Sequence, residues 1–245
     1  MTDAGSPEAA APNLFARAAG MIFSPRGTFE RFIVHAPKVL GAIVLSGLGI
    51  GLSSGLPQFT ESGRQAALDM QVQQIERMTG QPVTDEMYGR MEQQARIGPY
   101  LAIVTTPIFI GVWVVVISGL YFLAFNVVLG GTATFKQVVS VSAHGFIIGA
   151  LGAVLAAPVQ YLQGTASMQG PFNLGALLPM LDETSFLARF LGFINVFSIW
   201  SAIVTAIGFS VLYRRKTANI AIGLLILTAG IAAVFAAIAG LFSGR

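Results

Sequence analysis

Gly51-Leu52-Ser53-Ser54-Gly55 fits the G-x-S-x-G pattern in which a serine hydroxyl is presented as a nucleophile. Such a serine needs a base, and usually a third group to orient that base. The chain has two histidines, His35 and His144, and no Asp or Glu falls inside its long apolar stretches. A nucleophile elbow also needs a strand, a sharp turn and a helix. Residues 38–56 instead form one apolar run with no strand signal ahead of Gly51. Ser53 and Ser54 lie near the far end of that run, while His144 lies a turn or two into a later one. Across a hydrocarbon core about 30 Å thick, serine and histidine should fall on opposite sides of the midplane. An intramembrane hydrolase is therefore the weakest of the readings, and no catalytic residue is expected.

The same glycines fit a second pattern. Gly47, Gly51 and Gly55 recur every four residues, the spacing that lets two helix backbones approach closely where lipid supplies no hydrophobic drive. Gly145, Gly149 and Ala153 repeat it, followed by Ala157, and Ala229, Ala233 and Ala237 form a third series. These positions are expected to be packing seams. His144 is an ionisable group within an apolar run, which makes it a candidate proton or ligand site. The alternative is a neutral imidazole bonded to a neighbouring hydroxyl or backbone carbonyl. Asn195, Ser198 and Thr205 fall on a narrow arc of one helix, so with His144 they form a candidate polar pathway. Hydrogen bonding to other helices is the plainer role for all four. The absence of cysteine, metal-ligand clusters, phosphate loops and paired buried carboxylates leaves no metal or cofactor expected.

The elements that would carry these residues are set by composition. Of 245 residues 54% are hydrophobic and 10% charged, and mean hydropathy is +0.73. A soluble domain carries about 25% charged residues, so the expected class is an all-α polytopic membrane protein. A span needs roughly 20 apolar residues, and five segments qualify: 38–56, 100–129, 138–162, 186–213 and 218–242. The second is long and holds Pro107, so tilt or a kink is expected. Residues 1–13 read as a disordered tail and 14–245 as a single membrane domain.

Two segments outside the spans have their own pattern. Ser24 and Pro25 start a helix with a hydroxyl cap and a proline at its first position. Phe29, Phe32, Ile33 and Ala36 line one face, and Pro37 ends it. This amphipathic helix would lie in the headgroup region or pack on the protein itself. Residues 57–99 are the one substantial polar segment, read as two short helices broken at "TGQP". Leu68, Val72, Ile75 and Met78 form one apolar stripe, Met87, Met91 and Ala95 another, and Thr84 starts the second helix. Its mixed charges argue against nucleic acid. It reads as a cap over the spans or as a partner-binding hairpin.

Orientation follows from charge. With the N-terminus cytoplasmic, the inner side holds eight basic and three acidic residues, including all three lysines, and the outer side six basic and eight acidic. Basic residues concentrate on the cytoplasmic side, and five spans then place the C-terminus outside.

"SPRGTFERFIVHAPK", "GGTATFKQVVSVSAHGFIIG" and "FLGFINVFSIWSAIVTAIGFSVLYRRKTANIAIG" occur in this order, and the layout resembles the Yip-domain membrane proteins in their bacterial form. Ser24-Pro25 with Phe29 is the best local signature, and Gly130-Gly131 with Phe135 the next. The resemblance implies a five-helix fold with a cytoplasmic N-terminus in a bacterial inner membrane. Eukaryotic relatives act in vesicle traffic and bind prenylated Rab-type GTPases, but their D-L-Y-G-P and G-Y-G elements are absent here, so that activity is not carried over. The expected role is non-enzymatic: membrane organisation or an interaction scaffold. A carrier or channel for a small solute, ion or lipid is the alternative. Expected partners are membrane lipids, a protein held through residues 58–98 or 24–36, and a second copy of the chain.

Overall fold

The computed structural model describes residues 13–163, 170–178, 180–182 and 185–243. The tail expected over residues 1–13 thus lies outside the described residues except for Asn13. Helix dominates, and an isolated bridge between Asn173 and Asn195 is the one β-type pairing among the described residues. The all-α class is as expected.

Asn13 accepts a hydrogen bond from the Ala16 N–H at 2.8 Å and so caps α1 (Leu14–Phe23). This helix precedes every element expected from the sequence. Next, α2 (Pro25–Thr28) continues as a π-helical turn over Phe29–Ile33. Pro25 starts it as expected, but Ser24 makes no side-chain capping bond. The first span is α3 (Leu40–Gly55), extended by a 3₁₀ turn at Leu56–Phe59. Thr60 then caps α4 (Glu61–Thr79), which ends at left-handed Gly80, and Thr84 caps α5 (Asp85–Ala95).

The second span is α6 (Gly98–Phe122), which runs uninterrupted through Pro107 into a π-helical turn at Leu123–Val128. Its 31 residues reach roughly 45 Å, well beyond the hydrocarbon core. The third span is α7 (Phe135–Gln163). The segment expected as one span over 186–213 is two helices, α8 (Phe186–Phe193) and α9 (Val196–Tyr213). Ile194 and Asn195 are extended, and Asn195 and Ser198 form a reciprocal capping box. An amide that caps α9 cannot also continue α8. The last helix is α10 (Thr217–Ser243). Five helices are long and apolar enough to cross a membrane.

The centre of the bundle is α7. Of its apolar window 67% is buried, against 22–39% in the other four spans. Val138, Val141, Ala143, His144 and Ile148 are all fully or nearly fully buried, so burial runs around the whole helix. It is flanked by α3, α6 and α9, while α10 packs on α9 and α8.

Seams of small residues set these distances. A Cβ on Gly47 would collide with Pro107, one on Gly51 would lie 2.9 Å from the Ala102 carbonyl oxygen, and one on Gly55 2.9 Å from that of Pro99. This is backbone contact along the α3–α6 face. On α7 the close approaches are at Gly145, against Thr205, and at Gly152, where a Cβ would lie 2.5 Å from Phe197 Cγ. A Cβ on Gly149 would meet nothing within 4 Å, so the expected Gly145–Gly149–Ala153 series is not the contact line. On α10 the buried residues are Ile220, Leu224, Ala232 and Ala236, beside rather than on the alanine series read from the sequence.

Gly51→Leu should destabilise the protein by about 1–3 kcal/mol, because the α6 backbone cannot yield to a side chain. Gly149→Ala should be neutral or stabilising, by up to about 1 kcal/mol from reduced backbone freedom. Thermal unfolding of the detergent-purified variants compares them, and equal losses would refute the seam at α3–α6.

Candidate functional site

The polar residues that the fold buries together lie where the N-terminal helices enter the bundle. Leu14 of α1 packs at the first turn of α3, 3.2 Å from where a Gly41 Cβ would be. Gly20 lies so close to Thr28 that a Cβ there would collide with its hydroxyl, which folds α1 tightly onto α2. Thr28 in turn donates to the Ser24 carbonyl at 2.9 Å. Phe29 is fully buried against Gly208 and Ile33 is 1% exposed. Of the two placements expected for this helix, in the headgroup region or on the protein itself, the second is observed: Phe29 and Ile33 turn into the protein. The cause is the chance to fill the gap between α7 and α9 at Val141 and Gly208. Phe15 and Phe23 of α1 are instead 72% and 84% exposed.

Arg17 is the other buried face of α1. It is only 7% exposed, and its Nη1 lies 3.5 Å from His144 Nε2. His144 is fully buried, nine residues into α7, roughly 14 Å from that helix's start. Its Nδ1 is 2.8 Å from the Ser140 carbonyl oxygen. A guanidinium cannot accept a hydrogen bond, so this network assigns the proton to Nδ1 and leaves the Nε2 lone pair facing Arg17. None of the three ion pairs among the described residues includes Arg17. Its Nε and the hydroxyls of Ser46, Ser118 and Ser140 are buried without a hydrogen-bond partner. A cation desolvated this far is costly unless polar groups surround it. The sequence signal for Arg17 was present: a lone arginine on the helical stripe that also carries Met21, four residues on, which is fully buried.

The other candidate residues are engaged separately. Ser53 donates to the Gly49 carbonyl at 2.6 Å and Ser54 to that of Ile50 at 3.1 Å, within one continuous helix. Asn195 accepts from the Ser198 N–H at 2.7 Å, and the Ser198 hydroxyl accepts from the Asn195 N–H at 3.2 Å. Thr205 packs against Gly145, whose carbonyl accepts from Ser201 at 2.9 Å. Thr205 is ten residues beyond Asn195 along α9, roughly 15 Å away. Asn195 and Ser198 are thus engaged in capping α9, while Thr205 packs on α7 about three turns further along.

Two further features flank this centre. The N-terminal helices are tied to the bundle by Gln137 Nε2 on the Val34 carbonyl at 3.1 Å and by Arg26 on Thr217 Oγ1 at 3.3 Å. Arg26 also pairs with Glu30 at 3.1 Å. At the opposite end, the α4–α5 hairpin is held by Gln65 on the Tyr88 hydroxyl at 3.1 Å. Leu68 and Met91 are its buried apolar residues, and Met87, one turn from Met91, is 44% exposed. Met78, on the expected α4 stripe, has a side chain outside the described residues.

A family model described as the Yip1 domain matches residues 19–239. The match starts inside α1, ends inside α10, and spans the Arg17-facing surface of α7 as well as the hairpin. No curated protein and no solved structure matches the chain.

His144→Leu should cost about 1.5–3 kcal/mol, the scale of a hydrogen bond to a charged group, because Arg17 keeps its burial and loses its partner. Arg17→Met combined with His144→Leu should recover much of that loss. Unfolding midpoints of the single and double variants give the coupling, and strictly additive effects would refute the Arg17–His144 contact.

Proposed function

This chain belongs to the Yip1 domain family, and from that membership and the geometry above we propose that it is a non-enzymatic multi-pass membrane protein that acts as an interaction scaffold. The partner is a protein held by the α4–α5 hairpin. One observation carries this choice between the two surfaces that the sequence offers. Thr28, Phe29 and Ile33 of the 24–36 segment are packed inside the bundle, whereas among the described side chains of α4 and α5 only Leu68 and Met91 are buried and the rest are exposed or half-exposed. A stripe that is covered at Met91 and open at Met87 has the form of an anchor position at a helical interface.

The membrane setting is part of the same proposal. Val104, Ile108, Val112 and Val116 of α6 recur every four residues and are 54–67% exposed, a face suited to acyl chains. The basic end of the bundle, with Arg26, Arg31, Lys38, Lys136 and the Arg214-Arg215-Lys216 turn, would face the cytoplasm of a bacterial inner membrane. The hairpin and the C-terminus would then lie on the far side. The carrier alternative draws less support, because Asn195 and Ser198 cap α9, Thr205 packs on Gly145, and His144 contacts the Ser140 carbonyl and Arg17.

The test is extraction of the tagged protein in native membrane discs, followed by mass spectrometry of what is retained. A stoichiometric protein should accompany the wild type and fall about tenfold with Met87→Glu, the scale of losing one apolar anchor. Met87 is exposed, so the fold should be unaffected, which thermal unfolding checks. Absence of any stoichiometric protein would overturn the scaffold reading, whatever lipids are present.

A further inference from the structure

The α9–α10 turn, Arg214-Arg215-Lys216, places three consecutive cations at the mouth of a groove of about 720 Å³. All three residues are exposed, and none takes part in the ion pairs found among the described residues. Below them the walls turn apolar: Leu120 and Ala124 on the α6 side, and Ile220, Leu224 and Leu227 on α10. Leu227 is eleven residues from Lys216, so the groove descends roughly 16 Å along α10, about one leaflet of a 30 Å hydrocarbon core. The volume lies within the range of pockets that enclose a small amphiphilic molecule.

The groove exists because α10 packs on α9 and α8 and not extensively on α6. Tyr121 and Phe125 line the groove as well, and Phe125 of the π-helical turn is backed by Tyr213, stacked at 5.1 Å, and by Phe209 at 5.2 Å. The rim is fixed rather than loose. Arg214 is left-handed, with φ of 53°, and its N–H bonds the Ser210 carbonyl. Arg215 donates to the Leu129 carbonyl at 3.0 Å, and the Tyr213 hydroxyl donates to Asn126 at 2.7 Å. The first turn of the 27-residue α10 begins at Thr217, so the positive end of its dipole lies at the same rim. A Cβ on Gly223, which lines the groove, would meet nothing within 4 Å, so no protein atom fills the space beside it.

We propose that this groove binds one anionic phospholipid, with the phosphate held by Arg214, Arg215 and Lys216 and an acyl chain lying between α6 and α10. Charge complementarity selects the occupant. Three cations with no carboxylate on the groove lining favour a headgroup of net negative charge over a zwitterionic one, whose own ammonium they repel. Basic pockets between transmembrane helices at a membrane surface take such headgroups. The site is independent of the hairpin and of the scaffold reading.

Native mass spectrometry of delipidated protein offered phosphatidylglycerol or phosphatidylcholine with identical acyl chains tests this. The wild type should retain one phosphatidylglycerol with a preference of about tenfold or more, the scale expected of several juxtamembrane cations. The Arg214→Gln, Arg215→Gln, Lys216→Gln triple variant should lose the preference. Gly223→Trp, whose Cβ meets no protein atom within 4 Å and whose ring would occupy the groove, should reduce occupancy by both lipids while leaving the unfolding midpoint intact. A preference that survives the triple substitution overturns the proposal. Should that variant fail to fold, undiminished occupancy in Gly223→Trp overturns it equally. Displacement of the lipid by glycerol phosphate at comparable concentration would show headgroup binding alone and would also overturn it.

Discussion

Backbone-to-backbone contact between α3 and α6 is the constraint on which the remaining packing depends. In lipid, two apolar helices gain nothing by hiding from their surroundings, so association has to come from close van der Waals fit. Gly47, Gly51 and Gly55 supply it by admitting Pro107, the Ala102–Ile103 backbone and Pro99 to distances that no side chain would allow. With α3 and α6 joined so closely, they form one wall of the cradle that holds α7. The opposite wall, α9, meets α7 by the same device at Gly145 and Gly152. The central helix is thereby enclosed by protein on nearly every side, and its polar residues are sheltered from lipid.

That enclosure explains how the structure tolerates Arg17 and His144. A guanidinium brought beside the centre of an apolar bundle has lost most of its water, and no carboxylate among the described residues pairs with it. The imidazole lone pair offsets part of that cost. The arrangement makes the N-terminal helices a built-in part of the membrane domain rather than a detachable surface segment. Arg17, Met21, Phe29 and Ile33 occupy the end of the bundle, and the exposed aromatic residues Phe15 and Phe23 are left for the membrane interface.

The two ends of the molecule then have different characters. At the end that receives the N-terminal helices, the basic α9–α10 turn and the loosely flanked α10 leave an open groove with a positive mouth. At the other end, the polar hairpin stands on the spans with few buried residues of its own. Membership of the Yip1 domain family fits a multi-pass membrane protein, and its two ends present different chemistry to their surroundings.

Residue types and their spacing alone determined the class, the five spans, the hairpin break at Gly80 and the Thr84 cap. They also favoured a packing role for Gly47, Gly51 and Gly55. Each of these depends on local physics: apolar length against bilayer thickness, backbone conformation at glycine, and a hydroxyl reaching its own helix start. Five outcomes were decided only by the tertiary structure: the pairing of Arg17 with His144, the inward turn of Phe29 and Ile33, the open space at Gly149, the break at Asn195 between α8 and α9, and the shifted buried face of α10. Periodicity shows which residues share a face, but not which neighbour that face meets. On a helix apolar all round, as α7 and α10 are, it cannot distinguish protein from lipid, since both are equally free of water. A buried charge was hidden for the same reason: its partner lies 127 positions away, and only folding brings the two within reach.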